Sequence, residues 1–299
     1  CWSGSDLFSK IGCRDAKDPL SHLKMVMAVG VVMGLHAAYE IFVGGTEISV
    51  QVILTYLPVS LLYISSMTVG YLGLRYIELS VSSPIANSSG ALVAIMTLIM
   101  VGIDEYSPLA LAAVALVCIG VIGLGVVEYR EDEELRAERQ KDGNYKYAKS
   151  FLALALPVAY CLLDAAGTFA DNRVLEILTD RFLAAGMAAT RKECVDLAAA
   201  SANCAYELTF LAAAVVCFVY VVLIRKDKLI PRLEGPKYLG AVCETAGQFA
   251  YIYAIADTSH LAMSAPIIAS YCAASVLWSR LFLKEKLSWK HYAMIGLIV

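Results

Sequence analysis

The chain consists mainly of apolar segments that are each about as long as a lipid bilayer is thick. A helix needs ~20 mostly apolar residues to cross the hydrocarbon core, and helices are expected because an open sheet leaves unpaired backbone groups in lipid. The sequence predicts an all-α polytopic membrane protein with ten transmembrane helices, the first and last of them truncated. The predicted spans are residues 1–11, 25–43, 49–72, 80–101, 107–127, 150–170, 206–224, 238–255, 260–279 and 291–299.

The composition agrees with a membrane environment and argues against other classes. Hydrophobic residues make up 59% of the 299 positions and charged residues only 17%, against about 25% charged in an average soluble protein. A net charge of −3 gives no basic surface for nucleic acid. The nine cysteines form no C-x-x-C motif and no Cys/His cluster, so neither a metal nor a cofactor is expected. Cys194 and Cys204 are expected as free thiols, or as a disulfide if their segment faces an oxidising side.

One stretch of the sequence is written twice. "LSVSSPIANS" (79–88) and "LAMSAPIIAS" (261–270) are identical at five of ten positions at an offset of 182. A weaker match at an offset of 158 brings Asp6 onto Asp164. Each half then has five spans, and because five is odd the second half enters the membrane from the opposite side. Such inverted repeats are typical of secondary transporters, which bind substrate near the midplane where the halves meet.

The repeat defines the predicted domains. The first repeat covers residues 1–127, a charged linker covers 128–149, and the second repeat covers 150–299 with a loop insertion at 171–204. Within that insertion, residues 173–189 have the spacing of an amphipathic helix, which either lies on the membrane surface or caps the bundle. The alignment leaves about half a helix missing at each end, so the chain reads as a fragment of a longer one.

Two prolines occupy matched positions of the repeats. Pro84 and Pro266 each remove a backbone hydrogen bond and bend a helix, which lipid tolerates where neighbours or a cavity satisfy the freed carbonyl. Prolines are also common in membrane helices in general. Their matched positions favour bent, partly polar helices around a cavity.

Several of these segments resemble the drug/metabolite transporter superfamily, and in particular its EamA-like ten-helix members. The resemblance is carried by "WSGSDLFSK" (2–10), "YLGLRYIELSVSSPI" (71–85), "YIYAIADTSHLAMSAPI" (251–267) and "LFLKEKLS" (281–288), and it covers nearly the whole chain. It implies a secondary active transporter, not an enzyme, that moves small metabolites by alternating access around a midplane cavity. Amino-acid-like or amphiphilic solutes, often exported, are the implied substrates, with protons as a possible coupling ion. The long segment 171–204 departs from the family pattern.

The implied setting is the lipid bilayer, as a multi-pass protein of the plasma (inner) membrane and as a monomer or homodimer. No G-x-x-x-x-G-K-[ST] loop is present, so direct drive by ATP is not expected. The orientation stays open. Lys and Arg concentrate in loops after odd-numbered spans, which predicts an external amino terminus, whereas family members have both termini inside.

Ionisable groups inside the spans are the first candidates for a functional site, because they are costly in a membrane. Asp6 and Lys10 share one face of the first span, either as a self-neutralising pair or as a charged wall of the substrate cavity. Asp164 has Tyr160 one turn before it and no basic residue within a turn. A carboxyl group in apolar surroundings favours its protonated form, so Asp164 is a candidate for substrate or proton binding.

The eighth span carries a polar stripe. Glu244, Gln248 and Tyr251 follow helical spacing, which predicts either a cavity lining or hydrogen bonds between helices. Asn87 and Tyr271 are expected to face the same centre from the fourth and ninth spans. In contrast, His36 and Glu40 share a face of the second span and are predicted to be structural or to lie near the membrane interface.

Two alternative functions remain. An intramembrane aspartyl protease needs two aspartates close together in the bilayer, and Asp6 and Asp164 are the available pair. However, Ser3 and Ser5 stand where that class has glycines. A sensor or structural membrane protein without transport is the other alternative.

Overall fold

The computed structural model of the protein describes residues 1–15, 17–101, 108–130, 151–256 and 271–299. That part of the chain contains α-helices and no strands. The helices are α1 Trp2–Cys13, α2 Ser21–Phe42, α3 Val50–Gly73, α4 Leu79–Ala86, α5 Ser89–Val101, α6 Pro108–Tyr129, α7 Phe151–Ala184, α8 Arg191–Phe218, α9 Pro231–Ala256, α10 Tyr271–Trp278 and α11 Trp289–Ile298. Wider π turns extend α8 through Val219–Ile224 and α10 through Ser279–Leu283.

The prediction of an all-helical membrane protein is confirmed. Four helical stretches are long and apolar enough to cross a membrane, and two shorter ones are apolar. The long ones are Ser21–Phe42, Val50–Gly73, Ala153–Ala184 and Arg191–Ile224, and the shorter ones are Leu111–Val127 and Tyr271–Leu283. Every predicted span overlaps a helix, although the first half of span 260–279 lies outside the described residues. So do Pro266 and nearly all of the linker 128–149.

The prediction of a loop at 171–204 is wrong. Helix α7 continues without a break to Ala184, and α8 already begins at Arg191. Hydropathy falls here because one face becomes charged, but Leu178 and Phe182 on the opposite face are buried at 1% and 9% exposure. The 32 residues of Ala153–Ala184 measure ~48 Å, against a hydrocarbon core of ~30 Å. The predicted amphipathic helix is therefore the distal part of α7, which extends beyond the bilayer.

The fourth predicted span is broken into two helices. Pro84 lies in α4, which ends at Ala86, and α5 begins three residues later. Side chains at the break add hydrogen bonds to carbonyls that also accept backbone N–H groups: the Asn87 amide donates to the Ser83 carbonyl at 2.9 Å, and the Ser88 hydroxyl donates to the Ile85 carbonyl at 2.6 Å. The predicted bend is present, and the polar residues around Pro84 explain why it is tolerated.

The start of α4 is held by a residue more than 200 positions away. The buried Glu285 carboxylate accepts hydrogen bonds from the backbone N–H groups of Leu79 and Ser80 at 3.1 and 3.0 Å, and from the Ser80 hydroxyl at 2.7 Å. The first N–H groups of a helix have no partner within the helix. Glu285 therefore acts as an N-cap from outside the helix and fixes the direction in which α4 enters the bundle.

Helix packing relies on glycines at the closest approaches. α2 packs along α8, α3 along α7, α1 along α9, and α6 along α11. At the crossing of α2 and α8, a Cβ on Gly30 would lie 2.4 Å from the Phe210 carbonyl oxygen and 2.5 Å from the Ala214 Cβ. Small residues allow this approach in a membrane, where association depends on close packing. Helices α1, α3, α4, α7, α9 and α10 enclose the centre of the bundle.

Candidate functional site

Asp6 joins three helices at the centre of the bundle. Its Oδ2 atom accepts hydrogen bonds from the Ser83 hydroxyl of α4 at 2.6 Å and from the Ser275 hydroxyl of α10 at 2.7 Å. Both serines are buried. These two hydrogen bonds fix the Asp6 side chain between α4 and α10.

Aromatic rings stack beside Asp6. The Trp2 indole lies 5.2 Å from the Tyr251 ring and 5.6 Å from the Tyr271 ring, measured between centroids. The indole fits against α9 because position 247 is glycine: a Cβ on Gly247 would come within 2.5 Å of Trp2 Cδ1. Tyr251 of α9 and Tyr271 of α10 therefore both contact the Trp2 ring. The sequence analysis missed the part played by Trp2, although its position one turn before Asp6 is a usable signal.

Two further carboxyl groups, those of Glu244 and Asp164, belong to the same region. The Glu244 carboxyl stands beside Ser5 and Trp2, and it interacts electrostatically with both Asp6 and Asp164. Asp164, on α7, stands beside Ser89 of α5. Tyr160 interacts electrostatically with all three carboxyl groups. Asp6, Tyr160, Asp164 and Glu244 are therefore electrostatic neighbours in the structure.

Asp171 is a fourth carboxyl group of this region that sequence reasoning missed. Its Oδ1 accepts a hydrogen bond from the Tyr56 hydroxyl at 2.7 Å, and Oδ2 accepts one from the Tyr63 hydroxyl at 3.5 Å. It lies two turns after Asp164 on the same face of α7, and that spacing was the available signal. It was overlooked because the sequence analysis assigned it to a loop.

The grouped residues retain accessible surface although they lie at the centre of the bundle. Asp6, Asp164, Glu244 and Tyr271 are each half-buried. These side chains project from α1, α7, α9 and α10 toward one another, so several helices share them. Ligand sites in bundles are built in this way, from side chains that project inward from facing helices.

Gln248 and Asn87 belong to the site less directly. Gln248 is half-buried on α9, one turn from Glu244. Asn87 interacts with Tyr271, yet its amide donates to the Ser83 carbonyl and hydroxyl at 2.9 and 3.2 Å. Asn87 therefore mainly holds the break between α4 and α5.

Lys10 does not lie on the wall of the central space. Its side chain is fully buried, and its ammonium donates hydrogen bonds to the backbone carbonyls of Leu74 and Ile77 at 2.6 and 2.5 Å. Glu285 and Glu78 are the acidic groups with which it interacts electrostatically. Neither sequence interpretation, the pair with Asp6 or the cavity wall, anticipated that Lys10 stabilises the turn between α3 and α4.

A second polar cluster lies between α2 and α8, away from the central site. His36 Nδ1 lies 2.9 and 3.0 Å from the two carboxylate oxygens of Glu207, and the Asn203 amide donates to Glu207 Oε1 at 3.2 Å. His36 Nε2 is 3.8 Å from Glu40. Glu207 is 1% exposed, so the pair connects the two helices within apolar surroundings, in agreement with the structural role predicted for His36 and Glu40.

Basic residues at one end of the bundle form ion pairs with neighbouring acidic residues. Asp18 lies between the ammonium groups of Lys24 at 3.0 Å and Lys237 at 3.4 Å, and Lys237 also reaches Glu234 at 3.1 Å. Arg75 donates to the backbone carbonyl of Asp18. These cations hold α2, α3 and α9 together and are used outside the central site.

The cysteines give no sign of disulfide or metal chemistry. All nine are free, and Cys194 and Cys204 lie on one helix, where ten residues correspond to ~15 Å. That distance excludes a disulfide between them, since bridged Cα atoms are at most about 7 Å apart. Among the described residues, no group of three His, Cys, Asp or Glu side chains is arranged to hold a metal ion.

A scan of the chain against models of known protein families gives no match, and a search of curated proteins gives none either. The family resemblance therefore rests on the sequence features alone.

Proposed function

We propose that the protein is a secondary active transporter of small metabolites, built like the EamA-like drug/metabolite transporters as two inverted repeats of five spans. Alternating access takes place around the central site, which opens in turn to the two sides of the membrane. The transported compound leaves chemically unchanged, and a solute or proton gradient supplies the energy.

One observation carries this proposal: two aspartates that align between the repeats each lie against a serine of the other half of the chain. Asp6 and Asp164 align at the offset of 158. Asp6, from the first half, is hydrogen-bonded to Ser275 of the second half, and Asp164, from the second half, stands beside Ser89 of the first. A half-buried site shared in this reciprocal way between two repeats is the arrangement expected of a midplane substrate site.

The helix contacts support the same proposal. In the repeat alignment, α1 corresponds to α7, α2 to α8, α3 to α9 and α6 to α11. The contact of α3 with α7 then corresponds to the contact of α9 with α1. In the same way, the contact of α2 with α9 corresponds to the contact of α8 with α3. The contacts of α2 with α8 and of α6 with α11 map onto themselves. Observed contacts therefore exchange in pairs, as an approximate twofold relation between repeats requires.

The test is transport by the full-length protein in liposomes. Vesicles are incubated with a metabolite mixture, and their contents are read by mass spectrometry. Wild-type protein is compared with Asp164→Asn and with Asp196→Asn, an exposed aspartate on α8 that serves as the matched control. We expect unchanged compounds to accumulate with wild type and with Asp196→Asn, and uptake to fall at least tenfold with Asp164→Asn.

The outcomes separate the alternatives. Chemically altered compounds would indicate an enzyme, such as the protease that two intramembrane aspartates suggest. The absence of accumulation with any variant would favour a sensor or structural protein. Equal uptake by all three proteins would leave the transporter assignment intact and remove Asp164 from the site.

A further inference from the structure

Acidic groups outnumber basic groups among the described residues of the central site. Asp6, Asp164, Asp171 and Glu244 approach it from α1, α7 and α9. The sequence has no Lys or Arg at residues 1–9, 26–74, 76–129, 150–172, 193–224 and 238–279.

The nearest basic residue is already bound elsewhere. Lys10 is the one Lys or Arg inside the first span, and its ammonium is hydrogen-bonded to two backbone carbonyls at the turn between α3 and α4. Arg75 and Lys237 belong to the ion-pair network around Asp18. The negative charge of the site is therefore not compensated by these residues.

Aromatic rings surround the carboxyl groups. Trp2, Tyr251 and Tyr271 form the stack described above, and Tyr160 and Tyr206 interact electrostatically with Glu244 and Asp164. The face of an aromatic ring attracts a cation, most strongly for tryptophan, and the attraction increases when the site is desolvated. The rings and the carboxyl groups thus favour the same sign of ligand charge.

An unpartnered hydroxyl group is an independent sign of a missing ligand. Tyr71 is 6% exposed, and among the described residues its hydroxyl oxygen has no hydrogen-bond partner. It interacts electrostatically with Glu244, Tyr206 and Asp6, which places it at the same site. A buried hydroxyl without a partner is costly, and a ligand with N–H donors would satisfy its oxygen.

From these observations we infer that the substrate is an organic cation, an amine or ammonium compound with an apolar group. The ammonium group is held by Glu244 and Asp6, and the apolar part lies against the rings of Trp2, Tyr251 and Tyr271. An anion is repelled by the carboxylates, and a neutral molecule of the same shape leaves them without a counter-charge. This inference rests on the proposed transport function and specifies its substrate class.

The experiment uses three water-soluble probes of similar size and different charge: the cation 2-phenylethylammonium, the neutral 2-phenylethanol and the anion phenylacetate. Their binding to the full-length protein in detergent micelles is measured by isothermal titration calorimetry. We expect the cation to bind at least tenfold more tightly than the alcohol, and phenylacetate to show no binding.

Variants locate the binding to the site. Glu244→Gln is expected to weaken binding of the cation at least tenfold, and Trp2→Leu about tenfold. Glu244→Asp, which keeps the charge, is expected to retain most of the affinity, and Asp196→Asn all of it. Gel filtration and thermal unfolding show that each variant is folded before it is titrated.

Different experimental results would overturn the inferred cation site and the proposed transport function. Equal binding of 2-phenylethanol and the cation, or unchanged cation binding in Glu244→Gln, would overturn the inference. Uptake of only neutral or anionic metabolites into liposomes, still sensitive to Asp164→Asn, would also overturn it and leave the transporter standing. Selective cation binding without any transport would keep the cation site and reject the transporter.

Discussion

Lys10 offers the sharpest test of the structural assignment, because its sequence interpretation and its observed role predict opposite results. A lysine on a cavity wall affects ligand binding and contributes little to stability. A lysine that holds the turn between α3 and α4 affects stability and leaves the ligand site intact. Replacing Lys10 by methionine keeps the length of the side chain and removes the ammonium group.

The size of the effect follows from the two hydrogen bonds. Lys10 Nζ lies 2.6 Å from the Leu74 carbonyl and 2.5 Å from the Ile77 carbonyl, and a hydrogen bond to a charged group contributes about 1.5–3 kcal/mol. The free energy lost with both hydrogen bonds is partly offset, because the variant no longer has to bury a charged ammonium group. Removing one partner of a buried charged interaction costs about 3–5 kcal/mol, so we expect the free energy of unfolding to fall by about 3 kcal/mol.

The assay is thermal unfolding in detergent micelles, followed by intrinsic fluorescence, together with calorimetric binding of 2-phenylethylammonium at low temperature. At ~2–4 °C per kcal/mol, Lys10→Met should unfold roughly 6–12 °C below wild type. Its affinity for the cation should stay within about twofold of wild type where it is folded. Lys192→Met, at an exposed position of α8, is the control and should leave the unfolding temperature unchanged.

The reasoning would be refuted by a variant that melts at the wild-type temperature. It would also be refuted if folded Lys10→Met protein bound the cation at least tenfold more tightly than wild type does. Either result would place the ammonium group in the ligand site, and the charge balance of that site would have to be recalculated.

Three further changes test the packing. Gly30→Ala should lower the free energy of unfolding by about 1–3 kcal/mol, because its Cβ overlaps the backbone of α8. The control Gly125→Ala should not destabilise the protein, because nothing lies within 4 Å of the added Cβ. Equal melting temperatures of the two variants would contradict the packing of α2 on α8. Glu207→Leu should cost about 1–3 kcal/mol in the same assay, since His36 loses a buried partner, and an unchanged melting temperature would count against the pair. Glu285→Ala should cost about 1–2 kcal/mol and speed amide hydrogen exchange at the first turn of α4, and unchanged exchange there would argue against the capping role.

The sequence predicted the helices because the signal for them is local. Runs of apolar residues indicate spans wherever a bilayer is the solvent, and the predicted spans all overlap helices. The incorrect prediction of a loop at 171–204 also comes from this local hydropathy signal. Hydropathy reports where a chain leaves the membrane, and α7 remains helical well beyond that point because Val174, Leu178 and Phe182 still pack on one of its faces.

The carboxyl groups of the central site were also predictable, since an isolated Asp164 or Glu244 in an apolar helix needs a reason to be there. Their partners were not. Ser83 and Ser275 lie 77 and 269 residues from Asp6, and nothing in the spacing of serines marks these two among the others.

The sequence by itself determined that this chain is a helical membrane protein with acidic groups inside its helices. That information resides in composition and in the period of one helix. Only the tertiary structure decided that Lys10 binds the turn between α3 and α4, that Glu285 caps α4, and that the acidic groups meet among aromatic rings. A buried charged side chain is satisfied by whichever groups the fold brings within hydrogen-bonding distance, and for Lys10 and Glu285 those groups are 64 to 206 residues away in the chain.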